Sequence, residues 1–286
     1  MDFDLSDEQR LIYQYGDQLA QTYDRQYWMK NAATRRFPVE MFQQIADDGF
    51  LGIMVPEAYG GAGLGLFEMA LFMEGLANNG IPLLSLVVSS TMSLPTIASF
   101  GTEAQKQRYL PDLCAGRTKF CFAITEPGAG SNTPEITTIA RRSGDGYLLK
   151  GQKTFITDAN DADFALVVAR TTPREEVARK TDGFTLFLVD LNAPGVDKAE
   201  IDIRIPMPES QWQLFFDDVQ LSAADALGEF ERGFDILFES LNPERIAVAA
   251  ICSGLGRYAL GKAVEYASER EVFNGPIGAY QGLQHP

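Results

Sequence analysis

Residues 125–131 are the part of the sequence best suited to hold a flat polar ligand. They read Thr-Glu-Pro-Gly-Ala-Gly-Ser and follow an alternating apolar run, residues 120–124, that is typical of a strand. The hydroxyls of Thr125 and Ser131 and the backbone N–H of Gly130 offer hydrogen bonds to such a ligand. Glycine also lets a ligand approach the backbone closely. From the residues alone, the segment is either such a binding shelf or an ordinary loop.

Composition excludes several kinds of chemistry. The chain holds one histidine, His285, and three cysteines that form no CxxC pair, Cys114, Cys121 and Cys252. Ser-His-Asp catalysis and histidine or cysteine metal sites are therefore not expected, and we predict no bound metal. Catalysis must come from carboxylates, hydroxyls, backbone amides or an organic cofactor.

The charge of the chain also limits its partners and its location. The net charge is −15 over 286 residues, so nucleic acid is not an expected partner. The first residues are acidic, unlike a secretion signal, and no apolar run has the length of a membrane span. We expect a cytoplasmic protein, with reduced cysteines and no membrane insertion.

Three regions must position these residues. Residues 1–118 carry helical signals, including the capping-box pairs Ser6 with Gln9 and Thr102 with Gln105. A further helix is expected over residues 38–48. Residues 119–230 show short strands at 147–149, 153–157, 164–169, 184–189 and 213–216, with a turn at 144–146. Residues 231–286 return to helical spacing. The sequence predicts an α+β multidomain fold with an N-terminal helical domain, a middle antiparallel β-barrel and the start of a C-terminal helical bundle.

The last predicted helix lacks a companion. Its apolar face over residues 245–270 needs a partner surface. Gly254 and Gly256 are expected to let a neighbouring helix approach closely. Further residues after Pro286 or another subunit would cover the rest of this face.

Four motifs in order make the sequence resemble the acyl-CoA dehydrogenase family. They are residues 123–132 (Ala-Ile-Thr-Glu-Pro-Gly-Ala-Gly-Ser-Asn), 151–157 (Gly-Gln-Lys-Thr-Phe-Ile-Thr), 241–245 (Leu-Asn-Pro-Glu-Arg) and 270–278, which includes Arg-Glu-Val-Phe and Pro-Ile-Gly. The resemblance covers the whole chain and implies FAD as cofactor. It also implies that the last helical domain is incomplete.

The resemblance places the FAD contacts on particular residues. These are Ile124, Thr125, Gly130, Ser131, Phe155, Thr157, Arg270 and Phe273. Thr125 and Thr157 would bond the flavin ring edge, and Phe155 would cover one face where many members have tryptophan. Arg270 would meet the pyrophosphate, usually across a subunit interface. Many members have glycine where this chain has Asn274, and an asparagine with positive φ would preserve that turn.

The resemblance also suggests the catalytic base. Family members carry the catalytic glutamate either later in the C-terminal bundle or on this helix, directly before the arginine of the third motif, which here is Glu244. Asn242 and Pro243 are expected to begin a helix, which places Glu244 in its first turn. Otherwise Glu244 merely favours the helix dipole. Substrate contacts are expected from Ser131, Asn242 and Arg245.

The implied function is FAD-dependent α,β-dehydrogenation of an acyl-CoA thioester to the 2-enoyl-CoA, a step of fatty acid metabolism. The carboxylate takes the α-proton and the β-hydrogen leaves as hydride to flavin N5. The implied partners are an electron-transfer flavoprotein and further copies of the chain, as a homodimer or homotetramer. The alternatives are an oxygen-reactive oxidase or monooxygenase of the same fold, or a truncated binding or scaffold subunit without catalysis.

Overall fold

The computed structural model describes residues 4–285, which contain eight α-helices. They are α1 (Asp7–Thr22), α2 (Arg25–Thr34), α3 (Val39–Asp47), α4 (Leu66–Ala77), α5 (Leu94–Phe100), α6 (Glu103–Cys114), α7 (Gly233–Glu269) and α8 (Gln281–Gln284). A π-helical segment, Leu86–Ser93, leads directly into α5. Among the described residues no helix combines the length and apolar character that crossing a membrane requires.

Ten strands form a large mixed sheet and a small hairpin. They are β1 (Phe120–Ala123), β2 (Ile139–Ser143), β3 (Gly146–Thr157), β4 (Phe164–Arg170), β5 (Phe184–Asp190), β6 (Val196–Ile201), β7 (Gln211–Ser222), β8 (Ala226–Leu227), β9 (Glu271–Val272) and β10 (Gly275–Pro276). The large sheet has the order β6-β7-β3-β2-β4-β5-β8, with β1 also paired to β4. The hairpin joins β9 and β10.

The predicted local signals have their expected structural effect. The Ser6 hydroxyl accepts the Gln9 N–H at 3.2 Å, and the Gln9 side chain accepts the Ser6 N–H at 3.0 Å. Thr102 and Gln105 form the same reciprocal pair at the start of α6. Each box satisfies donors that have no partner inside the helix. Both predicted capping boxes, the helix near residues 38–48 and the turn at residues 144–146 are confirmed.

The closed antiparallel barrel is not confirmed. Strands β1 and β4 pair in parallel, and so do β2 and β4, so the sheet is mixed. Its end strands β6 and β8 do not pair with each other in residues 4–285. A parallel pair needs a long connection between its two strands. The β2–β3 hairpin and a further loop supply that connection between β1 and β4. The domain boundaries at residues 118 and 230 stay predictions.

Alternate residues of the central strands divide between two apolar cores. Leu166 and Val168 of β4 pack into the core that includes the helices. Ala165 and Val167 of the same strand belong to a second core, enclosed by the other face of the sheet. This alternation is the consequence of the two-residue period of a strand. One face of the sheet therefore fixes the strands against the helical region.

Helix α7 is a single helix of 37 residues that packs against α4. A Cβ on Gly254 would lie 2.4 Å from the Glu74 carbonyl oxygen, so close approach at Gly254 is confirmed. A Cβ on Gly256 would meet no other atom within 4 Å in the described residues, so the same expectation for Gly256 stays a prediction. Beyond this contact, the apolar side chains of Leu260, Val264 and Tyr266 are exposed.

Candidate functional site

A buried ion pair fixes the loop that follows β1. The Lys153 ammonium lies 2.9 Å from Glu126 Oε1, with the two side chains 0% and 3% exposed. Lys153 Nζ also donates to the Ile124 carbonyl at 2.9 Å. Glu126 Oε2 accepts from the Thr137 N–H and hydroxyl, and Glu126 Oε1 accepts from the Thr138 N–H. Through these bonds Lys153 of β3 holds the start of the loop at Ile124 directly and its end at Thr137–Thr138 through Glu126.

The protonation of this pair follows from its surroundings. Burial by itself raises the pKa of Glu126, but the Lys153 charge and the Thr137–Thr138 donors outweigh it, so the pKa is lowered. Burial lowers the pKa of Lys153 to about 8, and Glu126 offsets part of that shift. Both groups are therefore mostly charged at neutral pH, and the negative charge of the loop is neutralised where an anionic ligand would approach.

Phe155 is held outward by an irregularity in β3. Lys153 pairs with Leu214 and Ile156 with Trp212, so two residues of β3 oppose one residue of β7. Such a bulge redirects side chains. Phe155 takes φ +56°, a left-handed conformation that costs a non-glycine residue about 1–2 kcal/mol. Its ring is 60% exposed. Strain combined with an exposed aromatic ring points to a ligand-covering role rather than to core packing.

Thr125 and Thr157 carry hydroxyls close to Phe155, and these three residues are here called the shelf. The Thr154 N–H donates to the Thr125 carbonyl at 2.9 Å, which brings the Phe155 segment next to Thr125. In residues 4–285 the hydroxyls of Thr125 and Ser131 make no hydrogen bond. Thr157 Oγ1 accepts from Gln211 Nε2 at 2.9 Å. An unused hydroxyl at Thr125, in a segment bonded to that of the exposed Phe155 ring, fits a planar heteroaromatic ligand.

The second group of expected site residues lies within α7, away from a helix end. The helix begins at Gly233 and passes through Pro243, so the prediction that Asn242 and Pro243 begin a helix was wrong. Burial raises the pKa of Glu244, and Arg245 offsets part of that shift. Arg245 Nη1 donates to Asn242 Oδ1 at 2.8 Å. A half-buried carboxyl with a raised pKa is a suitable proton acceptor from a weak acid.

The third group lies at the far end of α7. Arg270 caps α7, and its N–H donates to the Tyr266 carbonyl at 2.8 Å. Its guanidinium makes no ion pair within the described residues. Phe273 is at the tip of the β9–β10 hairpin and 92% exposed, with φ +59°. The expectation of a positive φ at Asn274 was wrong: the preceding residue, Phe273, adopts it.

The structure brings only part of the expected site together. Ile124, Thr125, Phe155 and Thr157 share one region through β1 and β3. No hydrogen bond or ion pair in residues 4–285 joins Glu244 or Arg270 to that region. The α7 residues and the hairpin residues therefore stay predictions as parts of one site.

Sequence reasoning missed the Glu126–Lys153 pair. The available signal was a lysine at an inward position of a predicted strand, beside a loop that carries a lone acid. Buried charges are almost always paired, so such a lysine needs a nearby carboxylate.

Three family models match consecutive parts of the chain. The acyl-CoA dehydrogenase N-terminal domain matches residues 6–117, the middle domain matches residues 121–219 and the C-terminal domain matches residues 231–286. Together they cover nearly the whole sequence, in the order that the folded regions follow.

Individual proteins and solved structures of this family are also similar to the chain over most of its length. Acyl-CoA dehydrogenase FadE12 of Mycobacterium tuberculosis is 44% identical over 264 residues, covering 92% of this chain and 67% of that protein. The CarC subunit of the caffeyl-CoA reductase-Etf complex of Acetobacterium woodii is 35% identical, covering 86% of this chain and 65% of that protein. The structure of a glutaryl-CoA dehydrogenase from Mycobacterium smegmatis in complex with FADH2 has a TM-score of 0.89 at 30% identity, covering 98% of this chain and 70% of that one. The chain spans about two thirds of the length of these curated relatives.

Proposed function

Because the chain belongs to the acyl-CoA dehydrogenase family of FAD-binding flavin oxidoreductases, we propose that it oxidises an acyl-CoA thioester to the 2-enoyl-CoA. The observation that carries the proposal is an exposed aromatic ring with a strained backbone, Phe155, in a segment bonded to Thr125, whose hydroxyl has no hydrogen-bond partner in residues 4–285. A structural loop has no need for such an arrangement, whereas a flavin ring would use all of it.

The residues of the shelf fit FAD. Thr125 and Thr157 would bond the polar edge of the ring, Phe155 would cover one face, and the Ile124 backbone would lie against it. Gly130 and Ser131 would face the phosphate-bearing arm, where the Glu126 charge is already neutralised by Lys153. When bound, FAD supplies the acceptor for the β-hydrogen of the substrate.

Arg270 and Phe273 belong to the same proposal. The Arg270 guanidinium has no carboxylate partner in the described residues and is free to bind pyrophosphate. Phe273, three residues further along the chain, is exposed. In the family such contacts usually cross between subunits, so they would be completed by a second copy of the chain.

Glu244 is the proposed base. It would take the α-proton of the thioester, a weak acid, and the raised pKa of a half-buried carboxyl improves the match between donor and acceptor. Displacing water with an apolar acyl chain would raise the pKa further. Arg245 keeps the ionised form accessible because its charge partly offsets the effect of burial.

Ser131, Asn242 and Arg245 are the proposed substrate contacts. The bond from Arg245 to Asn242 holds the guanidinium along one side of α7. Four of its five N–H donors remain for the polar part of an acyl-CoA. The Ser131 hydroxyl is available for the same arm or for the flavin phosphate.

We propose homo-oligomers and an electron-transfer flavoprotein as partners. The exposed apolar side chains on the second half of α7 need a covering surface, and symmetric assembly is the common solution. A monodisperse monomer of the purified protein in light scattering would contradict the oligomer.

Anaerobic mixing of the purified yellow protein with straight and branched acyl-CoA thioesters tests the function. Loss of the visible flavin absorbance, with 2-enoyl-CoA found by mass spectrometry, supports it. A protein that takes up no FAD, or a flavin that no acyl-CoA bleaches, contradicts it. Release of hydrogen peroxide in air would identify an oxidase in place of a dehydrogenase.

A further inference from the structure

Two carboxyl groups are buried where the helical region meets the sheet. Asp158, directly after β3, is 5% exposed, and Glu209, just before β7, is 1% exposed. Asp158 Oδ2 is 2.5 Å from the Ser85 hydroxyl. Glu209 Oε1 accepts the N–H groups of Leu84 at 2.7 Å and Ser85 at 3.4 Å. Both carboxyls, here called the carboxyl pair, therefore bind the same short segment before the π-helical segment.

The second oxygen of Glu209 has no partner. In residues 4–285, Glu209 Oε2 is buried without a hydrogen bond. An ionised carboxylate in this position would lose its hydration without compensation, whereas a protonated one loses much less. The geometry of Glu209 thus favours a proton on the pair.

The charges around the pair do not neutralise it. Lys119 is the cation that acts on Asp158, but its ammonium lies 3.5 Å from the centre of the Phe37 ring, and Asp161 adds further negative charge. Lys198 of β6 donates to the Ala159 carbonyl. Arg35, at the end of α2, is paired with Glu200 and Asp202. No ion pair within 4.0 Å joins either carboxyl to a cation in the described residues.

Burial acts in the same direction on both groups. Burial raises the pKa of Asp158 to about 7, and Asp161 adds to it while Ser85 and Lys119 offset part. Burial raises the pKa of Glu209 to about 8, with the Asp158 charge as the next cause. The pair therefore passes from protonated to doubly ionised within the neutral pH range.

The carboxyl pair is connected to Thr157 of the shelf through the end of β3 and the start of β7. Asp158 directly follows Thr157 and has φ +55°. Its N–H donates to the Ser210 carbonyl at 2.9 Å, and its Oδ1 accepts the Ser210 N–H at 3.2 Å. The next residue, Gln211, donates to the Thr157 hydroxyl at 2.9 Å. A displacement of the pair would therefore move the hydroxyl of Thr157.

We propose that Asp158 and Glu209 are positioning residues for Thr157, and that they hold it in place only while the pair carries a proton. Loss of that proton leaves two buried negative charges that have no paired cation in the described residues. The cost of these charges, and the repulsion of Glu209 by Asp158, loosen the ends of β3 and β7 that hold Thr157. The link to flavin rests on the proposed function, whereas the effect on folding stability does not.

The sign of the pH effect follows from proton binding. Unfolded Asp and Glu lose their protons near about pH 4, whereas the folded pair keeps them to about 7 and 8. Between these limits the folded state binds more protons than the unfolded state. The contribution of the pair to the free energy of unfolding therefore falls as pH rises through this range and is constant above it.

The experiment compares wild type with Asp158→Asn, Glu209→Gln and the double variant. Asp145→Asn is the matched control, because it removes the same charge from an exposed residue in the turn at the other end of β3. Thermal unfolding midpoints of flavin-free protein are measured from about pH 5.5 to about pH 8.5. The rate of FAD release from the flavin-bound protein is followed over the same range by its fluorescence.

We expect the wild-type midpoint to fall by at least about 4 °C between these limits. FAD release should accelerate about tenfold. Both trends should be at most half as large in the double variant and unchanged in Asp145→Asn. If the double variant does not fold, the same two pH trends are compared between wild type and the single variants Asp158→Asn and Glu209→Gln.

Equal pH trends in wild type and in the Asp158 and Glu209 variants would overturn the proposal. A midpoint trend that the variants abolish, with FAD release independent of pH, would overturn the positioning of Thr157. If the stability trend behaves as expected but the protein binds no FAD at any pH, the proposed flavin function fails and the carboxyl pair stands as a determinant of stability.

Discussion

Replacing Lys153 by methionine should destabilise the protein severely. The substitution keeps an unbranched side chain one atom shorter than lysine and leaves Glu126, 3% exposed, as a buried charge without a counter-ion. Removing one partner of a buried pair in this way costs about 3–5 kcal/mol. The loop also loses the donor that binds the Ile124 carbonyl. Urea unfolding of the flavin-free protein measures the loss, and FAD titration of any folded fraction should show weaker binding.

Two comparisons make this prediction specific. Lys150→Met lies on the same strand, but its partner Asp217 is exposed, so little change is expected. The double variant Lys153→Met with Glu126→Gln removes the uncompensated charge and should be more stable than the sum of the two single effects allows. If Lys153→Met shifts the urea midpoint no more than Lys150→Met, the ion pair does not fix the loop.

Three further substitutions test other parts of the account. Phe155→Ala should weaken FAD binding about threefold to tenfold in a fluorescence titration while leaving the urea midpoint near wild type, because the ring is exposed; unchanged affinity would exclude stacking. Gly254→Ala should cost about 1–3 kcal/mol in urea unfolding because its Cβ meets the Glu74 carbonyl, whereas Gly256→Ala should be neutral or stabilising, and equal effects would contradict the packing of α7 on α4. Arg270→Gln should lower FAD affinity without changing the unfolding of flavin-free protein, and a stability loss without an affinity loss would make this arginine structural.

Sequence patterns correctly predicted the structural features that depend only on residues close together in the chain. The Ser6 and Thr102 capping boxes act over three residues, so sequence order is enough to find them. Strand β6 was missed because it is an edge strand with charged and exposed residues, and it lacks the alternation that marks a half-buried strand. Helix α2 was missed for a similar reason, since its polar residues include the buried Asn31.

Long-range packing decided what the sequence pattern did not show. A proline usually marks a helix start, but Pro243 lies inside α7 because Leu237 before it and Ala247 and Ile251 after it are buried. Residues 125–131 were singled out as a candidate binding segment from their own types and order. The Glu126–Lys153 pair joins positions 27 apart in the chain and becomes visible only when β3 lies beside β1. The carboxyl pair joins positions even further apart.

The central claim is that Glu244 is the base that starts acyl-CoA oxidation. Glu244→Gln keeps the size of the side chain and removes its ability to take a proton, so general-base loss should slow flavin bleaching by about 10²–10⁴-fold. Glu239→Gln, an exposed residue of the same helix, is the matched control and should bleach at the wild-type rate. Rapid mixing of acyl-CoA with wild type and both variants at equal FAD content decides the matter. Slow bleaching in Glu244→Gln alone is the predicted result, and a near-normal rate in that variant would contradict the assignment.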